Sequence, residues 1–189
     1  MTEAFLKAYK NTAKWEGGYV NDPHDRGGET YNGISRKNFP KWEGWEIVDK
    51  IQTNNSEKEW KRELVKLDKL VQEIYFESFW KPIRGDDIAI IDEKIAMYVY
   101  DMAVNHGVKR GVKLFQKALN DCLAVKEEVK PDGVLGDRTV KALIMANPEQ
   151  LLQTMKDTRH SFFLSIIKSH KEQEHFKKGW LRRTHGVVK

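Results

Sequence analysis

Apolar residues recur along most of the chain at the three-to-four-residue spacing of an amphipathic helix, and two-residue alternation is scarce. Phe5, Tyr9 and Thr12 share one face of a first helix, which is predicted to run past Trp15 and stop at Gly17 and Gly18. Glycine accepts the left-handed conformation of a helix terminus without a side-chain clash. Ser56 to Glu59 has the form of a capping box, and Trp60, Leu64, Leu67, Val71, Ile74 and Phe79 continue it as one apolar stripe as far as Pro82. Tyr75, Phe76 and Trp80 on the same segment read as core. Gly85, Asp86 and Asp87 break the pattern, after which Ile91, Ile95, Tyr98 and Met102 mark a helix ending at Gly107, and Val112, Phe115 and Leu119 form the face of another. Asp132, Gly133 and Gly136 form a tight loop, with Asp137 or Thr139 placed to cap the helix that follows. The stretch Tyr31 to Asn55 is irregular and aromatic. Asn32-Gly33 within it is a hairpin signal, so a short β-hairpin is expected near residues 29–35 of an otherwise mainly α protein.

At 189 residues the chain is long enough to bury roughly 70% of the surface its unfolded form exposes. Cys122 is the single cysteine, which excludes an internal disulfide and reads as a small core residue. No window approaches about 18 consecutive apolar residues, so no membrane span is expected. The net charge of +5 is unevenly placed. Residues 168–189 hold seven Lys and Arg against Glu172 and Glu174, a local excess that matches the whole net charge. Such a tail attracts an anionic polymer, or is a solvated basic face. No nucleic-acid motif accompanies it, so no nucleic acid is expected as partner. His24, His106, His160, His170, His175 and His185 lack the spacing of a zinc site, which predicts chemistry without metal or other cofactor.

The chemistry concentrates near the N-terminus. Glu16 follows Trp15 at the predicted helix end, where the dipole presents partial negative charge and an apolar neighbour reduces hydration. Both disfavour the carboxylate and raise its pKa, as a general acid requires. Asp22, Asp25, Glu29 and Thr30 follow within fifteen residues, on a loop that Gly27-Gly28 and Asn32-Gly33 can fold back across the helix end. Two carboxyls around one cleft are what glycoside hydrolysis needs.

The run Trp15-Glu16-Gly17-Gly18-Tyr19, continued by Asn21-Asp22-Pro23, Asp25, Gly27-Gly28, Thr30 and Gly33-Ile34, resembles the start of the glycoside hydrolase family 108 domain. That group contains N-acetylmuramidases of phage endolysins and of bacterial proteins described as secretion activators. The resemblance implies a lysozyme-like helical fold with Glu16 as catalytic acid. A more distant similarity, to the phage lysozyme arrangement of Glu-Gly, then Asp, then Thr before Gly-Ile, assigns Asp25 and Thr30 to the water or the cationic sugar. The Asp-to-Thr spacing is one residue shorter here. Asp22 is the rival second carboxylate and, with Tyr31, an expected substrate contact.

Tyr100 to Gly107, Phe115 to Leu119, Asp132 to Thr139 and Lys178 to Arg183 look like the predicted peptidoglycan-binding region that follows this domain in the family. Residues 1–85 are therefore expected to carry catalysis and 86–189 to form a helical region packed with them as one compact unit. Asn105 and His106 have two readings: substrate contacts lining a sugar cleft, or a polar helix cap beside a surface histidine. Trp42 and Trp45 either stack on sugars or bury. The expected reaction is hydrolysis of the β-1,4 bond between N-acetylmuramic acid and N-acetylglucosamine, by inversion if the carboxyls lie about 6.5–9.5 Å apart and retention at about 5–5.5 Å. A non-catalytic wall-binding or secretion-accessory protein is the alternative. The expected partners are peptidoglycan strands, with the basic tail in contact with an anionic wall polymer. Met1 to Lys7 lacks the apolar run of a signal peptide, which implies synthesis in the bacterial cytoplasm and action at the wall or periplasm after release or export.

Overall fold

The structure, a computed structural model, describes residues 1–15, 17–21, 28–53, 57–123 and 129–188, the side chains of 57–60 excepted. Its helices are α1 (Glu3–Thr12), α2 (Gly44–Thr53), α3 (Glu57–Tyr75), α4 (Gly85–Ile91), α5 (Glu93–His106), α6 (Val108–Leu123), α7 (Asp137–Met145), α8 (Pro148–Ser169) and α9 (Lys177–Gly186). Between α1 and α2, among the described residues, lie three two-residue strands, β1 (Tyr19–Val20), β2 (Thr30–Tyr31) and β3 (Ile34–Ser35). The fold is mainly α and lysozyme-like, as the periodicity and the resemblance lead one to expect. Two compact units make it up: Met1–Asn11 with Ser78–Lys189, and Thr12–Glu77.

In the first unit α5 is the central helix, with Ile95, Ala96, Tyr98, Val99, Tyr100, Met102 and Ala103 all buried. Each such large side chain removes enough apolar surface from water to contribute roughly 1.5–3 kcal/mol. Asp92 starts the helix by accepting a hydrogen bond from Ile95 N at 2.8 Å, and Gly107 (φ 79°) ends it where the sequence places its stop. Helix α6 approaches so closely that a Cβ on Gly111 would lie 2.7 Å from Ala103 N, which only glycine permits. Phe5 and Tyr9 of α1 are buried as predicted, and Phe5 meets Trp80 and Tyr100 edge-on at 5.8 and 6.0 Å.

Several local expectations give way. Helix α1 ends at Thr12 and tightens into a 3-10 turn over Ala13–Trp15, and neither Gly17 nor Gly18 takes a positive φ. The stripe on α3 runs through Leu67, Val71 and Tyr75 and then Trp80, not through Ile74 and Phe79, while Leu64 is exposed. The five-residue step from Tyr75 to Trp80 is what a π turn over Phe76–Trp80 accommodates. Gly85, Asp86 and Asp87 open α4, whose last residue is Ile91, so Ile91 does not share a helix with Ile95, Tyr98 and Met102; a Cβ on Gly85 would strike the Trp80 indole at 2.3 Å. Neither Asp137 nor Thr139 caps α7: Gly136 is its N-cap, Asp137 pairs with Arg84 at 2.6 Å, and Thr139 is buried as an acceptor for Gln116 at 3.3 Å.

Candidate functional site

The sheet is antiparallel in the order β1, β2, β3, with Tyr19 opposite Tyr31 and Val20 opposite Thr30, then Thr30 opposite Ser35 and Tyr31 opposite Ile34. The expected hairpin is present: Asn32 (φ 45°) and Gly33 (φ 79°) both have the positive φ of a two-residue turn that matches strand twist. Gly18 O accepts from Asn32 N at 3.1 Å, and the Tyr75 hydroxyl donates to Asn32 O at 2.8 Å, tying the turn to α3. The segment immediately after Glu16 is thus hydrogen-bonded to the hairpin that carries Thr30 and Tyr31.

Thr30 and Tyr31 are successive residues of β2, so their side chains leave opposite faces of the sheet. Tyr31 lies 6.4 Å from the Trp42 ring, and burial first, then the negative charge of Asp68, push its phenol pKa up. Among the described residues the Thr30 hydroxyl has no hydrogen-bond partner, which leaves it available to a ligand or water. Beside them Arg36 bridges two acids: Nη2 donates to Glu29 Oε1 at 3.2 Å and to Asp49 Oδ1 at 2.5 Å, and the guanidinium sits 4.4 Å above the Trp45 ring. Arg36 Nε is also 2.7 Å from Glu29 Oε2 but off the hydrogen-bond direction, so that contact is electrostatic only. Tyr19 donates to the same Glu29 at 3.2 Å. Trp45 is buried and donates to Phe39 O at 2.8 Å, whereas Trp42 is half-buried. Glu16, Asp22 and Asp25 lie outside the described residues.

Asn105 and His106 belong to the other unit, at the end of α5. Both are held by Arg159 of α8, whose Nη2 donates to Asn105 Oδ1 at 3.0 Å and whose Nε donates to His106 Nε2 at 3.2 Å. The third arm of Arg159 goes to Asp101 Oδ2 at 2.7 Å, and Asp101 Oδ1 also accepts from Arg183 Nε and Nη2 at 3.1 and 3.0 Å. Asp101 and Arg159 are wholly buried and Arg183 nearly so. One carboxylate thus faces two guanidinium groups. His106 packs against both Phe162 and Phe163, with ring centroids at 5.2 and 5.1 Å. Burial, and then the charge of Arg159, lower its pKa to about 3, so it is neutral at physiological pH. With Nε2 accepting from Arg159, its proton is on Nδ1.

His106 also borders a cavity of about 540 Å³, lined further by Gly107, Val108, Lys109, Arg110 and Lys113 at the start of α6. Sequence reasoning missed Asp101, Arg159 and Arg183. The available signal was an acid between Tyr98 and Met102 on the apolar face of α5, a position that requires a buried cationic partner. The basic tail is mostly α9, and its Arg183 is occupied internally, while Lys178 and Arg182 are exposed. Trp180 stacks between Phe163 at 4.8 Å and Phe176 at 5.7 Å. Cys122, half-buried at the end of α6, has its thiol pKa raised by burial.

Among the described residues no group of three or more His, Cys, Asp or Glu is placed to hold a metal ion, and no helix is long and apolar enough to cross a membrane. Residues 9–107 match the family model for glycosyl hydrolase 108, so the chain belongs to that family, and residues 110–185 match the predicted peptidoglycan domain. With the two matches together, the chain is a glycoside hydrolase that acts on peptidoglycan. A solved structure, that of Brucella abortus SagA, is similar over 97% of this chain and 91% of its own, with 27% sequence identity and a TM-score of 0.67. Among curated protein sequences none matches the chain. The hydrolase match runs through both compact units, since it extends from α1 to the end of α5.

Proposed function

We propose that the chain is an N-acetylmuramidase that hydrolyses the β-1,4 bond between N-acetylmuramic acid and N-acetylglucosamine in wall glycan, after release or export from the bacterial cytoplasm. Glu16 protonates the departing glycosidic oxygen. Asp25, with Thr30, holds the attacking water or offsets the positive charge that develops on the sugar, Asp22 contacts the substrate beside them, and Tyr31 contacts it from the opposite face of β2. The observation that carries this reading is the pairing of Gly18 and Tyr19, next to Glu16 in the chain, with the hairpin that presents Thr30 and Tyr31. It tethers the acid's own segment to the strand bearing its proposed helper. Asn105 and His106 act in substrate binding from the other unit, supported by their fixed orientation on Arg159. The Lys and Arg side chains of α9 that remain at the surface add attraction to anionic wall polymers, and the protein serves either lysis by a phage or wall remodelling during secretion.

The test is digestion of purified peptidoglycan by the wild-type chain and Glu16→Gln. The variant keeps the shape of the side chain but delivers no proton, so turnover should fall by about 10²-fold or more with the melting temperature retained. New reducing ends should be N-acetylmuramic acid. Reducing N-acetylglucosamine would assign the other glycosidic bond, near wild-type turnover in the folded variant would remove Glu16 from the mechanism, and an inert wild-type protein that still sediments with walls would favour the binding-only alternative.

A further inference from the structure

We propose that the cavity at the turn between α5 and α6 is an anion subsite that takes a free carboxylate of the peptide stems of peptidoglycan. The inference rests on the peptidoglycan reading and adds which part of that substrate the helical unit holds. Every ionisable side chain lining the cavity is a hydrogen-bond donor. Lys109, Arg110 and Lys113 form no ion pair among the described residues, so three cations line it without an acid to neutralise them. The first helical hydrogen bond of α6 joins Gly111 N to Gly107 O, so the amides of Val108, Lys109 and Arg110 precede the bonded turn at the positive end of a sixteen-residue helix.

His106 contributes a third kind of evidence for an oxyanion, independent of those cations. Because Arg159 Nε donates to its Nε2, the neutral ring carries its hydrogen on Nδ1, and that nitrogen has no partner among the described residues. A neutral imidazole free to choose its tautomer accepts as readily as it donates. This one is fixed as a donor by Arg159, which is itself held in place by its ion pair with Asp101. A negative group in the cavity therefore meets donors and positive potential from the ring, the side chains and the helix end together. The lining is also held in place. Arg110 lies 5.4 Å over the Phe162 ring, and Gly133 leaves the space in which the backbone oxygen and Cγ of Lys109 sit, 2.6 and 2.7 Å from where a Cβ would be. The cavity volume is in the range of ligand sites.

Among the parts of peptidoglycan, the sugars carry hydroxyls and N-acetyl groups, and the lactyl carboxyl of muramic acid is consumed in the bond to the peptide. The free carboxylates of the stem are the negative groups left for such a site. Calorimetry on the full chain at low salt should compare N-acetylglucosaminyl-N-acetylmuramyl tetrapeptide, which lacks the scissile bond, with the same fragment carrying carboxamides in place of carboxylates. The free acid should bind about ten-fold more tightly than the amide. The preference should vanish in K109Q/R110Q/K113Q, whose melting curve checks its fold, and persist in K94Q/K117Q/K141Q, which loses equal charge elsewhere. The Nδ1–H resonance of His106 should shift with the acid and not with the amide. Equal affinity of the wild-type chain for both fragments, while it still digests wall, would overturn the subsite and leave the peptidoglycan reading intact. Loss of both binding and digestion would overturn both. Displacement of the tetrapeptide fragment by poly(glycerol phosphate), with tighter binding that depends on the same three residues, would reassign the site to phosphate.

Discussion

The two compact units handle polarity in opposite ways. In the helical unit, polar groups are buried and answered by one another: Asp101 by Arg159 and Arg183, and Gln116 by Asp132, Thr139, Val134 O and Gly133 N. In the unit from Thr12 to Glu77 the strands are two residues long, and the network of Glu29, Arg36 and Asp49 is open to solvent. Inside a protein an unanswered charge costs several kcal/mol, whereas at the surface water answers it. The helical unit is therefore constrained to one arrangement, and the short-stranded unit is where residue types can be chosen for chemistry. The proposed acid and its helpers fall in the second kind of region.

This contrast is broken most directly at Asp101. Its removal in Asp101→Ala leaves Arg159 and Arg183 buried with no carboxylate between them, and loss of one partner from a buried ion pair costs about 3–5 kcal/mol. Chemical denaturation should show that loss. Asp101→Asn, which keeps the shape and two hydrogen-bonding atoms, should lose less. A change under about 1 kcal/mol in Asp101→Ala would mean that water enters the network and that the two units do not differ in kind.

A second comparison uses glycines. Gly111→Ala places a methyl 2.7 Å from the backbone nitrogen of Ala103, so α5 and α6 must separate, at about 1–3 kcal/mol as for other overpacked cores. Gly17→Ala meets nothing within 4 Å and has an ordinary φ, so its stability should change by no more than the roughly 0.5 kcal/mol usual for surface changes, as read by the same denaturation. Equal destabilisation by the two would remove the distinction between close-packed and open segments.

What the sequence revealed divides along physical lines. The helices α5 and α6 were legible because their apolar spacing repeats over several turns, and the hairpin because Asn32-Gly33 supplies the two positive φ values that its turn demands. The shift of the α3 stripe at Tyr75 was not, since a π turn leaves no periodic signature until the burial of Trp80 reveals it. The end of α1 at Thr12 was missed because the Gly-Gly signal was read as a helix stop, although those glycines have ordinary φ. For the site, Thr30 and Tyr31 were placed on the hairpin correctly, yet their opposite faces follow only once the strand is defined. The Asp101 network joins residues 58 and 82 positions apart, and no local pattern encodes a partner at that distance. Glu16, Asp22 and Asp25 are known from sequence alone.

The smallest effect should come from Arg36. It is the hub of the exposed network, in contact with Glu29, Asp49 and the Trp45 ring, and hydrogen bonding to Asp49 is the first cause of its raised pKa. In the helical unit a residue with that many partners would be indispensable. Here the side chain of Asp49 is 55% exposed, and water replaces much of what Arg36→Ala removes. The expected loss is about 1 kcal/mol or less, part of it from the cation over Trp45 and the packing of the aliphatic stem. Because the Coulomb part is screened, the difference between wild type and variant should narrow as salt rises toward 1 M, whereas the Asp101→Ala difference should hardly move. Denaturant midpoints of both variants at low and high salt measure this. A salt-insensitive loss at Arg36 comparable with that at Asp101 would show that the short-stranded unit contains a desolvated ion network of its own.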